Sequence, residues 1–439
     1  MQDAEHDRDQ CLEAARLRGA LGCEYLRTAS SGIQFEVDRG RERKVEQIST
    51  DDVTIRLWLD GGREGLASGP FASSAALVDA AVSAAESAEM DRFAGPVEQL
   101  NRPPRGLGID DRRYGALEME DRVDVVSGIE RSVRAVDRRL VPSGVTWRDS
   151  RTFRLFGSTR GVAAQEWSTL FEGEVTVAGS HRGDNVVASS SVASRSFASL
   201  ASVPYGANLA RRVAAVLVDG RSLNPGPVRV VLAPTATARL FERIAEAFDH
   251  ATVSSGGNFL VRDGRMVQVH PRIHLLDDGQ APAGLRSHAF DDRGCVPRPI
   301  TLIKEGVLDE RLLDPRTARS VERHPTGHMF GTGLRPGNLS IRGGTRSINA
   351  ITSELGGIML FLEHLPDLSD AVDLRTGELD CVVSGVVRDG KESVGAVRNR
   401  RLTGNLAQAL TDLVQVCSDT DRVRHVDAPG MILDGFTLG

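Results

Sequence analysis

Two histidine pairs in this chain share a four-residue spacing that could hold a divalent ion. His270 and His274 lie in VQVHPRIHLLDD, and His324 and His328 bracket Pro-Thr-Gly in HPTGH. Pro271 makes the first segment extended or turn-like. In an extended strand, residues four apart share a face but stand about 13 Å apart, too far for one ion. A turn through Pro325, Thr326 and Gly327 could bring His324 and His328 together, with His288, Asp291 and Asp292 as further donors. The more ordinary reading of that pattern is loop histidines that meet solvent or a hydrogen-bond partner.

Nucleophile chemistry has less support. No GxSxG is present, and Cys295 has no adjacent histidine, so it reads as a small, partly buried side chain. SSGGN, beginning at Ser254, follows a helical stretch instead of opening one, which excludes a phosphate-cradling loop. Cys11, Cys23, Cys295, Cys381 and Cys417 are odd in number, widely separated and free of CxxC spacing. That argues against a disulfide framework or a cysteine zinc site and for a reducing, cytoplasmic compartment.

The elements that must position these groups read as α+β. Residues 12–21 have helical spacing, 25–29, 33–37 and 53–59 alternate as strands, and 73–89 form an alanine-rich helix. A Pro-, Gly- and Arg-rich linker at 99–109 precedes a helix over 117–140. Strands are expected at 152–156 and 162–177, then a helix at 208–218, the strand 228–232 and a helix over 235–251. Residues 254–344 read as irregular β structure. The last third carries a strand at 358–363, a hairpin from 381–388 and 393–398, a helix over 405–417 and a terminal strand at 431–438. This gives an N-terminal sheet-plus-helices module (1–98), a linker helix with middle strands (99–222) and a larger, mostly antiparallel β-rich C-terminal domain with inserted helices (223–439).

A net charge of −6 over 439 residues supplies no electrostatic reason to expect nucleic acid or an anionic membrane. The charged start, MQDAEHDRDQ, has no apolar core of a signal peptide. No apolar run approaches the length of a membrane span.

Several stretches, in order, resemble the TldD/PmbA peptidase family. They are GCEYLRTA and GLASGPFASSAALVDAAVSAA near the start, VTWRDSRTFRLFGSTRGVAAQEW, RSHAFDDRGCVPRPITLIKEGVLDERLLDPRTAR at 286–319, HPTGH, VDLRTGELDCVVSGVVRDGKESVGAVRNRRLTGNLAQAL and the ending PGMILDGFTLG. Together they span nearly the whole chain. Active members of that family carry His-Glu-x-x-x-His on the helix after a central strand, with a cysteine near the C-terminus as a third zinc ligand. Aligning VVLAP at 230–234 with that strand puts Glu242, Arg243 and Ala247 at the motif positions, and His425 is the only ligand type near the cysteine position.

The resemblance therefore implies a TldE-like subunit without the zinc motif. Its partner would be a homologous TldD-like subunit carrying His-Glu-x-x-x-His and the zinc. The substrates would be unfolded peptides or peptide-like molecules, including intermediates of natural-product maturation. The best-matching segments nominate Phe290, Asp291, Asp292, His324, Thr326 and His328 as substrate-cavity residues. A metal-free homodimer that holds a small metabolite is the alternative from another class, and catalysis through His270, His274, His324, His328 or His425 is a third reading.

Overall fold

A computed structural model describes residues 2–38, 41–97, 104, 106–254, 257–262 and 265–439. Most of the expected linker between residues 98 and 105, and Ser255 and Gly256 of SSGGN, lie outside the described residues.

The N-terminal half is one antiparallel sheet. Its strands are β1 (Gly22–Asp38), β2 (Arg41–Trp58), β3 (Glu64–Pro70), β4 (Leu140–Ser158), β5 (Ala163–His181) and β6 (Asp184–Ser194), in the order β3-β2-β1-β4-β5-β6. The segments expected as separate units, 1–98 and 99–222, thus share a sheet through the pairing of β1 with β4, Glu24 opposite Ser158. Short alternating runs did not reveal that the strands on either side of the linker are neighbours. Strand β6, serine-rich, was not expected at all.

Alternation gives this sheet two distinct faces. Cys23, Tyr25 and Phe35 of β1, with Trp147, Phe153 and Leu155 of β4, face the helices α1 (Gln2–Leu17), α2 (Ser74–Glu86), α3 (Met119–Val136) and α4 (Tyr205–Val216). The residues between them, Glu24, Leu26, Arg154 and Phe156, point the other way. Leu26 and Phe156 pack there against Ala289 and Phe290 of the C-terminal half.

The C-terminal half contains β7 (Gly226–Leu232), β8 (Leu275–Asp278), β9 (Ile300–Lys304), β10 (Val307–Leu308), β11 (Asn338–Ile341), β12 (Ile358–Leu362), β13 (Glu378–Asp389), β14 (Glu392–Asn405), β15 (Leu413–Val423) and β16 (Val426–Leu438). Pairings β7-β12-β13-β14-β16 return to β7, closing a five-stranded ring that satisfies its own edges. From β16 an arm of β11, β8, β9 and β10 extends outward. Helix α5 (Pro234–Ile244) follows β7, and its Leu240, Phe241 and Ile244 enter the core with Leu232, Leu360 and Met431.

Two helices are shorter than their hydrophobic spacing suggests. The helix expected over 235–251 gives way after Ile244 to a 3-10 turn, Ala245–Phe248. The helix expected over 405–417 is only α6 (Leu406–Thr411), capped by Asn405 whose side chain accepts from Gln408 N. Residues from Leu413 onward pair with β16 instead, because Leu413, Val416 and Cys417 are buried against it. Among the described residues, no helix is long and apolar enough to cross a membrane.

Candidate functional site

Strand β7 turns into α5 at Ala233-Pro234, where proline's missing N–H costs nothing in the first helical turn. Ala236, Leu240, Phe241 and Ile244 take the buried face, so Arg239, Glu242 and Arg243 emerge on the other. Arg243 serves packing: its guanidinium bonds the carbonyls of Ser369 (3.0 Å) and Val372 (3.1 Å) and pairs with Glu246. Ala247 is fully buried. Glu242 pairs with Arg239 at 3.0 Å.

The β15–β16 hairpin supplies the facing group. Its two-residue tip is Arg424-His425, with Arg424 at φ 55°. Arg424 reaches the six-stranded sheet, bonding Glu172 at 2.9 Å and Ser191 at 3.2 Å. That anchoring sets His425 inside, 5% exposed, with Nε2 3.7 Å from Glu242 Oε1 and without a hydrogen-bond partner among the described residues. Burial, then Arg286, Arg424 and Arg239, push its pKa down to about 2. The single carboxylate of Glu242, already shared with Arg239, does not offset three guanidinium charges.

The fold thus brings together two groups that the resemblance places at ligand positions, Glu242 and His425. As a donor set they offer one carboxylate and one imidazole. Ala247 has nothing to donate, Arg243 points elsewhere, and the remaining neighbours are cations. Zinc favours four N, S or O donors in a tetrahedron, and these residues do not fit it. Among the described residues, no group of three or more His, Cys, Asp or Glu side chains is placed to hold a metal ion.

The two loops singled out by the sequence meet beside this centre. In FDDRGC, Asp291 is buried and accepts from the backbone N–H groups of Arg293 (2.9 Å), Cys295 (2.9 Å) and Met329 (3.0 Å). Burial pushes its pKa up to about 6 against those bonds and the Arg293 charge. Gly294, at φ 73°, lies flat on Phe156, where an added Cβ would stand 2.3 Å from Cε1. In HPTGH, Gly327 at φ 75° crosses Pro297 so closely that a Cβ would fall 2.5 Å from its Cα. That turn delivers His328, whose Nε2 lies 3.2 Å from Asp277 Oδ1.

The six nominated substrate residues therefore separate. Phe290, Asp291 and Thr326 are interior: Phe290 packs on Phe156, and Thr326 Oγ1 bonds Leu313 N at 3.0 Å. His324 is exposed. Asp292 accepts from Arg154 and, at 2.6 Å, from Gly331 N, and it borders a cavity of about 120 Å³. His328 lines a cavity of about 270 Å³ shared with Arg154, Arg286, His288, Phe330 and Arg335. His324 and His328 are not brought onto a common ion.

Residues missed from sequence are mostly arginines. Arg154, from the outward face of β4, bonds Glu166 at 2.8 Å, the Phe290 carbonyl at 2.9 Å and Asp292. Burial alone would raise the Glu166 carboxyl, but the His288 bond, Arg154 and the Ala289 N–H hold it at about 2. Burial keeps His288 below the usual imidazole range despite Glu166. Arg293 reaches back from the loop to Glu24 on β1 at 2.7 Å, both nearly fully buried. A larger cavity, about 480 Å³, opens between β6, α4, β12 and β13, and Arg239, Arg212, Glu363 and His364 line it. Arg239 thus belongs to both that cavity and the Glu242 pair.

Residues 225–439 match the family model described as PmbA/TldA metallopeptidase C-terminal domain. Metalloprotease PmbA of Escherichia coli O157:H7 is 23% identical over 425 residues, covering 94% of this chain and 91% of that protein. The Metalloprotease PmbA homolog of Buchnera aphidicola subsp. Acyrthosiphon pisum (strain APS) is 21% identical over 407 residues, covering 92% and 89%. Among solved structures, TldE from Thermococcus kodakarensis superposes with a TM-score of 0.82 at 16% identity, covering 99% of this chain and 100% of that one. A Thermotoga maritima protein described as a candidate modulator of a DNA gyrase reaches 0.87 at 19% identity, covering 99% and 100%. At such identities the structural likeness carries the fold alone.

Proposed function

The chain belongs to the TldD/PmbA family, and from that premise we propose that it is the TldE-like, zinc-free subunit of a heterodimeric metallopeptidase. The catalytic zinc, its histidines and its general base would sit on a TldD-like partner. This chain would shape the chamber and hold extended peptide or peptide-like substrate beside it. Sheet-edge strands such as β6 suit that task, since an extended peptide can bind through main-chain hydrogen bonds. The assembly would work in the cytoplasm.

One observation carries the reading: the constellation of Glu242 and His425 is surrounded by guanidinium groups where a zinc centre would need donors. A divalent cation placed there would be repelled by Arg239, Arg286 and Arg424. The same cations favour an anionic or carbonyl-rich ligand.

Co-purification of the tagged chain from its native cells, with zinc counted per complex, tests this. The expected result is an equimolar TldD-like partner and about one zinc per pair. A chain that comes alone with stoichiometric zinc would overturn it. A chain that comes alone and metal-free would favour the homodimeric scaffold.

A further inference from the structure

The ionisable side chains on the wall of the 270 Å³ cavity are three arginines and two histidines, with no carboxylate among them. Three of these groups are already compensated, His288 among them through Glu166 at 3.3 Å. Arg154 is neutralised by Glu166 and Asp292, and His328 stands against Asp277. Asp277 is engaged by His328 and by Gly337 N, whose N–H is shared between its two oxygens.

Arg286 and Arg335 are left over. The side chain of Arg286 bonds only the Pro336 carbonyl, at 2.9 Å, and neither guanidinium has an ion pair among the described residues. Burial lowers the pKa of Arg286 and outweighs the charges of Glu242 and Asp277, neither of which forms an ion pair with it. A guanidinium remains protonated regardless, and its planar fork suits a carboxylate. His328 adds a second sign of incompleteness. It is 1% exposed, and its Nδ1 has no hydrogen-bond partner among the described residues. Phe330 and Pro297 give the same cavity an apolar side.

We propose that this cavity, between Arg286, Arg335 and His328, is a binding site for a carboxylate of the ligand. If the substrate is a peptide, as the proposed function holds, that carboxylate is the C-terminal group or an acidic side chain. The volume fits one terminal residue and not a long segment, so the cavity would fix one end of an extended chain.

The test uses the full chain in whatever assembly it purifies with. Three pentapeptides are titrated by fluorescence anisotropy: a free acid, its C-terminal amide, and an amide with one aspartate added. Glutarate is titrated separately, with melting temperature as the readout. The site predicts that the free acid or the aspartyl amide binds roughly tenfold tighter than the plain amide. Arg335→Gln, at an exposed position that folding tolerates, should remove that preference, and Arg286→Gln should do the same if it folds. Which of the two peptides gains identifies the source of the carboxylate. A glutarate-induced rise in melting temperature that Arg335→Gln abolishes, with no peptide bound, would keep the anion site and sink the peptide-substrate reading. Equal affinities together with no glutarate effect, or an effect that Arg335→Gln leaves intact, would overturn the site.

Discussion

His425 and Glu242, from a hairpin tip and a helix far apart in sequence, stand 3.7 Å from each other with the imidazole uncharged. A histidine beside a carboxylate ordinarily gains a proton. Here burial and three neighbouring arginines reverse that expectation.

The reversal has a pH signature. The folded-state pKa of His425, about 2, lies below the unfolded value of about 6.5. Stability from this group is therefore complete above pH 6.5 and is lost as pH falls, because the unfolded chain takes up the proton first. By pH 5.5 the loss from His425 is about 1.4 kcal/mol. His364, brought down to about 4 by burial and by Arg239 and Arg212, adds in the same direction. Denaturant unfolding at pH 7.5 and 5.5 should show His425→Gln flattening the dependence by about 1 kcal/mol. An unchanged slope would mean that His425 titrates alike in the folded and unfolded chain, and a steeper one that it is protonated and ion-paired with Glu242.

Gly327 has to be glycine for two reasons at once, its positive φ and its contact with Pro297. Gly327→Ala should cost about 2 kcal/mol or more in urea unfolding, from backbone strain and overpacking. Loss of the anion preference at the neighbouring cavity should accompany it, because this turn carries His328. A variant as stable as the parent would show that the turn is not held as described.

Arg293 and Glu24 form a buried pair joining the C-terminal loop to the N-terminal sheet. Arg293→Met leaves the Glu24 carboxylate buried with only the Val97 N–H, and should destabilise by about 3–5 kcal/mol. The double variant with Glu24→Leu should recover much of that loss, since an apolar pair avoids the uncompensated charge. Additive losses in a double-mutant cycle would contradict the pairing.

Much of the architecture was legible because hydrophobic period survives in sequence. The alanine-rich α2, the strand of VVLAP and the hairpin of β13 and β14 all lie where alternation or helical spacing puts them. What failed was long-range pairing. Nothing local in Leu413–Val423 says that β16 will claim it as a strand, and nothing in β1 names β4 as its neighbour. The site was legible in the same uneven way. FDDRGC stood out through the family resemblance and HPTGH through that resemblance and its paired histidines, and residues of both border the cavities described above. Arg154, Arg286 and Arg335 did not stand out, because an arginine's lack of a counter-ion is a property of packing. In an arginine-rich chain, three more arginines carry no signal of their own.

In the proposed assembly this chain shapes a chamber whose chemistry belongs to its partner. The most direct test is peptide cleavage by the reconstituted complex with one acidic residue changed at a time. Replacing the glutamate of the partner's His-Glu-x-x-x-His with glutamine should reduce turnover by roughly a thousandfold, as expected for a lost general base. Glu242→Gln in this chain should leave turnover within about tenfold of the parent, a change no larger than a lost surface-accessible pair can produce. Turnover abolished by Glu242→Gln but retained by the partner's variant would put the reaction on this chain and contradict the account.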